Sequence, residues 1–331
     1  MQLAQPYLLF LGEAPDQLAA KTAQGVLDWR PDWCLGQMRL ADCKADLGLP
    51  EMTLSDVKTA GVKTMVIGVA NRGGVISEAW TALLEEALSM GFDLAAGLHN
   101  RLADVPALAA AAEKHGRNLF DLRHPTQSFQ VGSGKKRSGK RLLTVGTDCS
   151  IGKMYTSLAI EREMQARGMA ADFRATGQTG IFITGRGVSV DAVVADFISG
   201  AIEWLAPDND PDHWDVIEGQ GSLFHASFAG VSMGLLHGAQ PDALVLCHEP
   251  TRTHMRGLPT YGLPEIGACM EANLAAGRLT NPAARFVGIS VNSSQMAPDA
   301  VAPYLRSLEE QFALPVVDSF KDGAGRIVDN L

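Results

Sequence analysis

One stretch limits the folds open to this chain more than any other: Leu142-Leu143-Thr144-Val145-Gly146-Thr147-Asp148-Cys149-Ser150-Ile151-Gly152-Lys153-Met154. An apolar run delivers a glycine-bounded loop to the start of a helical pattern. Glycines let the backbone curl around an anion so that several N–H groups point inward, and the helix start adds its positive end. Lys153 supplies a mobile cation for phosphate oxygens. Such a loop must leave a sheet and enter a helix, so the stretch predicts an α/β fold built on a mainly parallel sheet. It also predicts phosphate-group binding by Gly146, Thr147, Asp148, Cys149, Ser150, Ile151, Gly152, Lys153 and Met154.

Two irregularities refine that expectation. Five residues separate Gly146 from Gly152, one more than in the usual phosphate loop. Met154 stands where a Ser or Thr hydroxyl would hold Mg²⁺, and a thioether is a poor ligand for so hard a cation. Thr156 is no obvious substitute. No obligatory metal is expected, which weakens a kinase or ATPase reading. A regular GxxxxGK, Gly134 to Lys140, is rejected as the phosphate loop because no strand precedes it.

The α/β rhythm also runs upstream. Tyr7–Leu11, Thr64–Val69 and Asp93–Ala96 read as strands. Trp80, Leu83, Leu84, Ala87 and Leu88 share a helical face that Gly91 ends, and Val105–His115 reads as a helix. This alternation predicts an amino-terminal Rossmann-like domain, with Asn71-Arg72-Gly73-Gly74 and His99 at carboxyl strand ends, where such sheets bind ligands. Residues 131–141 turn abruptly to Gly, Ser, Lys and Arg and read as a linker. The expected division is a Rossmann-like domain over 1–134 and a P-loop domain over 135–331. In the latter, Leu142–Val145, Val216–Glu218, Ala243–Cys247, Phe286–Val291 and Pro315–Val317 are expected strands, and Lys153–Arg167 a helix.

Composition excludes some partners. The net charge is −9, a poor match for nucleic acid or an acidic membrane surface. The cysteines, Cys34, Cys43, Cys149, Cys247 and Cys269, show no paired CxxC spacing, against a disulfide framework or a cysteine zinc site. The start of the chain lacks the basic lead of a signal peptide, and no apolar run reaches membrane-span length. A cytoplasmic protein is expected, homo-oligomeric on the commonness of symmetric assemblies.

The five-residue loop spacing with its leading Gly-Thr-Asp resembles that of dethiobiotin synthetase, where a strand ending in Glu-Gly-x-Gly is also expected. This chain has Glu218-Gly219-Gln220-Gly221. Together with Ala175-Thr176-Gly177-Gln178-Thr179-Gly180 and His248-Glu249-Pro250-Thr251-Arg252, these motifs are similar over nearly the whole chain to the family catalogued as domain of unknown function 1611. That resemblance implies a Rossmann-like domain followed by a P-loop domain. It implies acetyl-CoA-dependent N-acetylation of an amino acid, D-glutamate first, in D-amino-acid catabolism alongside an N-acetyl-glutamate racemase. A cradle for the phosphates of acetyl-CoA would make Mg²⁺ dispensable and give Met154 a reason.

Acetyl transfer to an amine needs a proton acceptor and donors for the thioester oxyanion. Residues 247–261 follow an expected strand, and there Glu249 and His254 are candidate bases beside His248; His225 and Glu218 complete the catalytic candidates. Arg252 and Arg256 would share a face if the stretch were helical, and their guanidinium forks suit a substrate with two carboxylates. Gln178 and Thr179 are candidate donors to substrate, and Asn292 either reads a base or closes a turn. Cys149, beside Lys153 at a helix start, sits where a thiol pKa falls. An ATP-dependent ligase or kinase, and a non-catalytic nucleotide or CoA sensor, are the competing readings.

Overall fold

Short runs of buried aliphatic side chains supply the strands of two parallel sheets. The computed structural model describes residues 3–69, 76–125 and 127–331. They fall into two units, Met1–Thr126 with Gly177–Ala192, and Gln127–Thr176 with Val193–Leu331. The segment Gly177–Ala192 thus packs with the first unit, a placement that chain order alone does not convey.

In the first unit, β1 (Tyr7–Gly12), β2 (Cys34–Arg39), β3 (Thr64–Ile67), β4 (Asp93–Ala96) and β5 (Leu119–Asp121) form a sheet of order β2-β1-β3-β4-β5. Every pairing is parallel. The central strands are wholly buried, as largely apolar runs allow when helices cover both faces. The helix Glu78–Ser89 starts where the Ser77 side chain accepts the Trp80 N–H, and buries Trp80, Leu84, Ala87 and Leu88. Gly91 follows at φ +100°. Trp80 meets Phe10 of β1 edge-on, with ring centroids 5.1 Å apart. The edge strands β2 and β5 were not expected from sequence. Strand β2 carries the buried polar Gln37, whose amide reaches Asp46 at 2.8 Å, so its pattern is not apolar enough to read. Asn71-Arg72-Gly73-Gly74 lies outside the described residues.

The second unit holds β6 (Lys140–Gly146), β7 (Ala171–Arg174), β8 (Trp214–Ile217), β9 (Ala243–His248), β10 (Arg285–Val291) and β11 (Val316–Val317), in the order β11-β10-β9-β6-β8-β7. Its pairings are also all parallel. Gly146 pairs with Cys247 and Val291 with His248, so β6, β9 and β10 end at one level. The phosphate-loop strand is therefore central, with the loops after its neighbours beside it, the usual ligand position in an open α/β sheet.

Residues 131–139 of the expected linker lie outside any helix or strand and are mostly exposed. Arg137 and Arg141 are buried. The Arg137 guanidinium donates to the carbonyls of Ala206 and Gly238, at the ends of the helices Ile198–Leu205 and Ala229–Ala239. Arg141 donates to the carbonyls of Ser138, at 2.7 Å, and Arg137. A basic, glycine-rich run thus serves as internal caps for helix carbonyls that lack partners in their own helix. Burial pushes Arg137 down to about 10. The two arginines are bound to backbone carbonyls, and Lys136 and Lys140 pair with Asp242 and Asp212. Among the described residues no helix is long and apolar enough to cross a membrane.

Candidate functional site

At the end of β6 the chain turns through Gly146–Gly152 and enters the helix Lys153–Ala166. Gly152, at φ +101°, occupies a backbone region that a side chain would strain. Lys153 is buried, and its Nζ donates to the Asp148 carbonyl at 2.7 Å. Burial pushes its ammonium below the ordinary lysine value, while the neighbouring thiols and Asp148 pull the other way. An anion entering the loop would satisfy this cation.

The Glu-Gly-x-Gly motif locks against the same loop. Gly219 N–H donates to Thr144 Oγ1 at 2.9 Å. A Cβ on Gly219 would lie 1.7 Å from the Thr144 carbonyl oxygen and 3.0 Å from Lys153 Cδ. Gly219→Ala is therefore expected to destabilise the protein by about 1–3 kcal/mol, the usual cost of overpacking. Thermal unfolding reads this, and an unchanged midpoint would show that the two strands separate freely. Glu218 is buried; its carboxylate accepts the Thr176 N–H at 2.9 Å and the Gln220 amide at 3.0 Å. It joins β8 to the chain leaving β7.

Residues 251–261 form turns rather than a helix, so the expected shared face of Arg252 and Arg256 does not arise. Pro250 and Pro259 remove backbone donors that a helix would need. Arg252 is a strut to the phosphate loop. Its Nε meets Glu249 Oε2 at 2.7 Å, and its Nη1 meets Asp148 Oδ2 at 2.5 Å and the Cys149 carbonyl at 2.7 Å. Its Nη2 meets the Ser150 carbonyl at 2.7 Å. Asp148 is fully buried and also accepts the N–H groups of Cys149 at 2.7 Å and Arg256 at 2.9 Å. Glu249 accepts from the Thr251 N–H at 3.0 Å and from the Thr251 hydroxyl. Arg252 thus holds the loop carbonyls of Cys149 and Ser150, while the N–H groups of Thr147 and Cys149 are taken by the Cys247 carbonyl and the Asp148 carboxylate.

The histidines differ sharply. His225 Nδ1 faces the Ser227 N–H at 3.1 Å, and Nε2 faces the Arg256 carbonyl at 3.0 Å. A backbone donor and a backbone acceptor fix the tautomer, with Nδ1 accepting and Nε2–H donating. Both nitrogens are committed, and the ring stacks on Phe228. His254 is exposed, with Nδ1 3.1 Å from Thr253 Oγ1. His248, at the end of β9, is buried with Nδ1 3.0 Å from Thr147 Oγ1 of the phosphate loop. Burial pushes its imidazole below the ordinary value, with Glu249 opposing, so it stays neutral at physiological pH.

Gln178 and Thr179 lie in the segment that packs with the first unit. There the Gln178 amide donates to Thr22 Oγ1 at 3.3 Å and its carbonyl accepts from Arg123 at 3.1 Å, while Thr179 reaches Thr22 at 3.4 Å. Asn292 accepts the Ser294 N–H at 3.1 Å, closing a turn. Met154 is half-buried, and Thr156 turns its hydroxyl to Ser290 at 2.8 Å. Burial outweighs the nearby cations at Cys149 and raises its thiol above the ordinary value, against the lowering expected from its position. Asp148, Cys149 and His225 bring donor atoms within 4.8 Å of one another. Those donors are already spent: Asp148 on Arg252, His225 Nε2 on a carbonyl, and the Cys149 sulfur held as a thiol.

Comparisons with known proteins agree with this architecture. The P-loop domain of the family DUF1611, a domain of unknown function, matches residues 130–328, and the Rossmann-like domain of the same family matches residues 38–125. A D-glutamate N-acetyltransferase of Tritonibacter scottomollicae is 59% identical over 326 residues, covering 98% of each chain. A second D-glutamate N-acetyltransferase, from a Pseudoalteromonas species, is 50% identical over 331 residues and covers 100% of both chains. The crystal structure of a DUF1611 family protein from Anabaena variabilis superposes with a TM-score of 0.90 at 29% identity, covering 99% of each chain.

Proposed function

The chain belongs to the DUF1611 family, and on that footing we propose that it is a D-glutamate N-acetyltransferase that takes its acetyl group from acetyl-CoA. The observation carrying this reading is the identity of 59% and 50% to two D-glutamate N-acetyltransferases along essentially the full chain. The phosphate loop supplies the chemical support. Its helix offers the Met154 thioether where a phosphoryl-transfer site needs an oxygen for Mg²⁺, and the Thr156 hydroxyl is turned away to Ser290. A phosphate cradle of this kind suits a donor that is held by its phosphates but reacts elsewhere.

In this reading Lys153 and the loop N–H groups bind the pyrophosphate of the donor. The amine nitrogen attacks the thioester carbonyl carbon, the C–N bond forms, and the C–S bond breaks with the electron pair leaving on the CoA sulfur. The nitrogen gives up its proton to a base. His248 is our choice, because it is neutral and touches the loop through Thr147. The acid limb of kcat/KM is then expected below the ordinary imidazole value, since burial lowers this group and a base works only when deprotonated. His248→Gln should lower the turnover number and erase that limb. A limb that persists unchanged would assign the base elsewhere, with Glu249 and His254 next in line. Service to an N-acetyl-glutamate racemase, implied by the resemblance, is part of the same proposal, as are a cytoplasmic setting and a homo-oligomeric state, the last resting on the commonness of symmetric assemblies.

Incubation with D-glutamate and either acetyl-CoA or Mg-ATP tests the function. Release of CoA with formation of N-acetyl-D-glutamate is expected. ADP formation instead would favour the ligase or kinase reading, and neither product would favour a sensor.

A further inference from the structure

The turns after β4 and β5 bring together groups that the phosphate-loop chemistry does not use. Ala96 pairs with Asp121, so the two strands leave the sheet side by side. Three residues past the first is His99, and three past the second is His124, preceded by Arg123. The segment Gly177–Ala192 closes over this edge. A Cβ on Gly97 would lie 2.7 Å from Gln178 Cβ, so glycine there permits the close approach. Arg123 donates one Nη to Gln178 Oε1 at 3.1 Å and pairs the other with Asp191, itself over a third exposed. Asp121, the nearest acid in sequence, is spent on the N–H groups of Leu102 and Ala103 at 2.7 and 3.2 Å.

We propose that this edge is a binding site for an amino dicarboxylate, with Arg123, His99 and His124 taking the carboxylates, Asp191 the ammonium, and Gln178 the remaining polar contact. The proposal rests on the acetyltransferase reading above and names, within the first unit, a place that would bind its amino acid. An α-amino acid carries an ammonium beside a carboxylate, and an Arg–Asp pair presents the complementary charges side by side. The second carboxylate of glutamate calls for further donors, and each imidazole can turn an N–H to it. His124 Nε2 is buried without a hydrogen-bond partner among the described residues, as expected of a donor that waits for a ligand. Partial burial and Arg123 hold His99 below its ordinary value, with Asp191 opposing and His124 adding to the lowering, so the four groups lie within electrostatic reach of one another. A dinucleotide fits less well, because β1 runs into Gly12-Glu13-Ala14-Pro15 without the G-x-G-x-x-G turn that seats a pyrophosphate.

The full-length protein tests this with Arg123→Gln and His99→Ala, each assayed against D-glutamate and acetyl-CoA. D-glutamate binding is also measured by calorimetry without the donor. His99 is exposed, so its removal leaves the core intact even if the Arg123 variant folds poorly. Arg123→Gln is expected to raise the D-glutamate KM and Kd by about tenfold to a hundredfold, as loss of a charge-assisted contact predicts. His99→Ala should raise both less, and the donor KM should hold in each variant. Wild-type acceptor constants in both variants, or donor and acceptor constants rising together, would overturn the site. If the wild type releases no CoA, the acetyltransferase reading fails on its own. The calorimetric comparison then still decides whether this edge binds the amino dicarboxylate.

Discussion

Arg252→Ala is expected to destroy donor binding while leaving the acceptor constants close to wild type. The side chain spans the gap between the β9 end and the phosphate loop, donating to Glu249, Asp148 and the carbonyls of Cys149 and Ser150. It is mostly buried, with a side-chain exposure of 19%, and Asp148 is at 0%. Removing one partner of such a pair leaves a buried charge uncompensated, at a cost of about 3–5 kcal/mol. The loop carbonyls then turn back toward the N–H side that should receive phosphate. Arg252→Lys restores one charge but not the fork, so it should recover only part of the loss. Calorimetric titration with CoA and a thermal scan read the two effects together. A raised D-glutamate KM at constant donor KM would instead return Arg252 to the carboxylate-binding role that its spacing from Arg256 suggests.

That contrast shows where sequence reading stops. The phosphate loop is legible because its determinants are contiguous: an apolar strand, two glycines and a lysine at a helix start. The job of Arg252 is not, because its partner Asp148 lies 104 residues away. Two arginines four apart look like a substrate clamp until the fold shows what one of them holds. The same limit hides the capping work of Arg137, whose carbonyl partners lie 69 and 101 residues away. Central strands such as Leu8–Leu11 announce themselves by unbroken apolar runs, whereas edge strand β2 buries Gln37 and does not. His248 reads from sequence as one polar residue among several. Only the register that sets β9 beside β6 brings its imidazole to Thr147. Gln178 and Thr179, read as donors to substrate, open the helix Gln178–Thr184, and their neighbours, Thr22 and Arg123, belong to the first unit.

Lys153→Ala should raise the dissociation constant of acetyl-CoA by about tenfold to a hundredfold, the loss of one charge-assisted contact worth about 1.5–3 kcal/mol. In the free protein the ammonium is buried on the Asp148 carbonyl, 2.7 Å away, and burial lowers its pKa. A phosphate oxygen at that position favours the charged form and raises the pKa again. Between the free and bound values, donor binding takes up a proton, so affinity falls as pH rises through that window. The alanine variant has no such group, and this pH dependence should disappear with the affinity. Removing a buried charge that is held on a carbonyl should cost the free protein little stability, unlike removal of Arg252. Dephospho-CoA identifies the phosphate concerned. If Lys153 meets the pyrophosphate, the variant loses the same factor for CoA and dephospho-CoA; if it meets the 3′-phosphate, dephospho-CoA affinity is unchanged by the substitution. Wild-type affinity for both ligands in the variant would remove the phosphate loop from donor binding altogether.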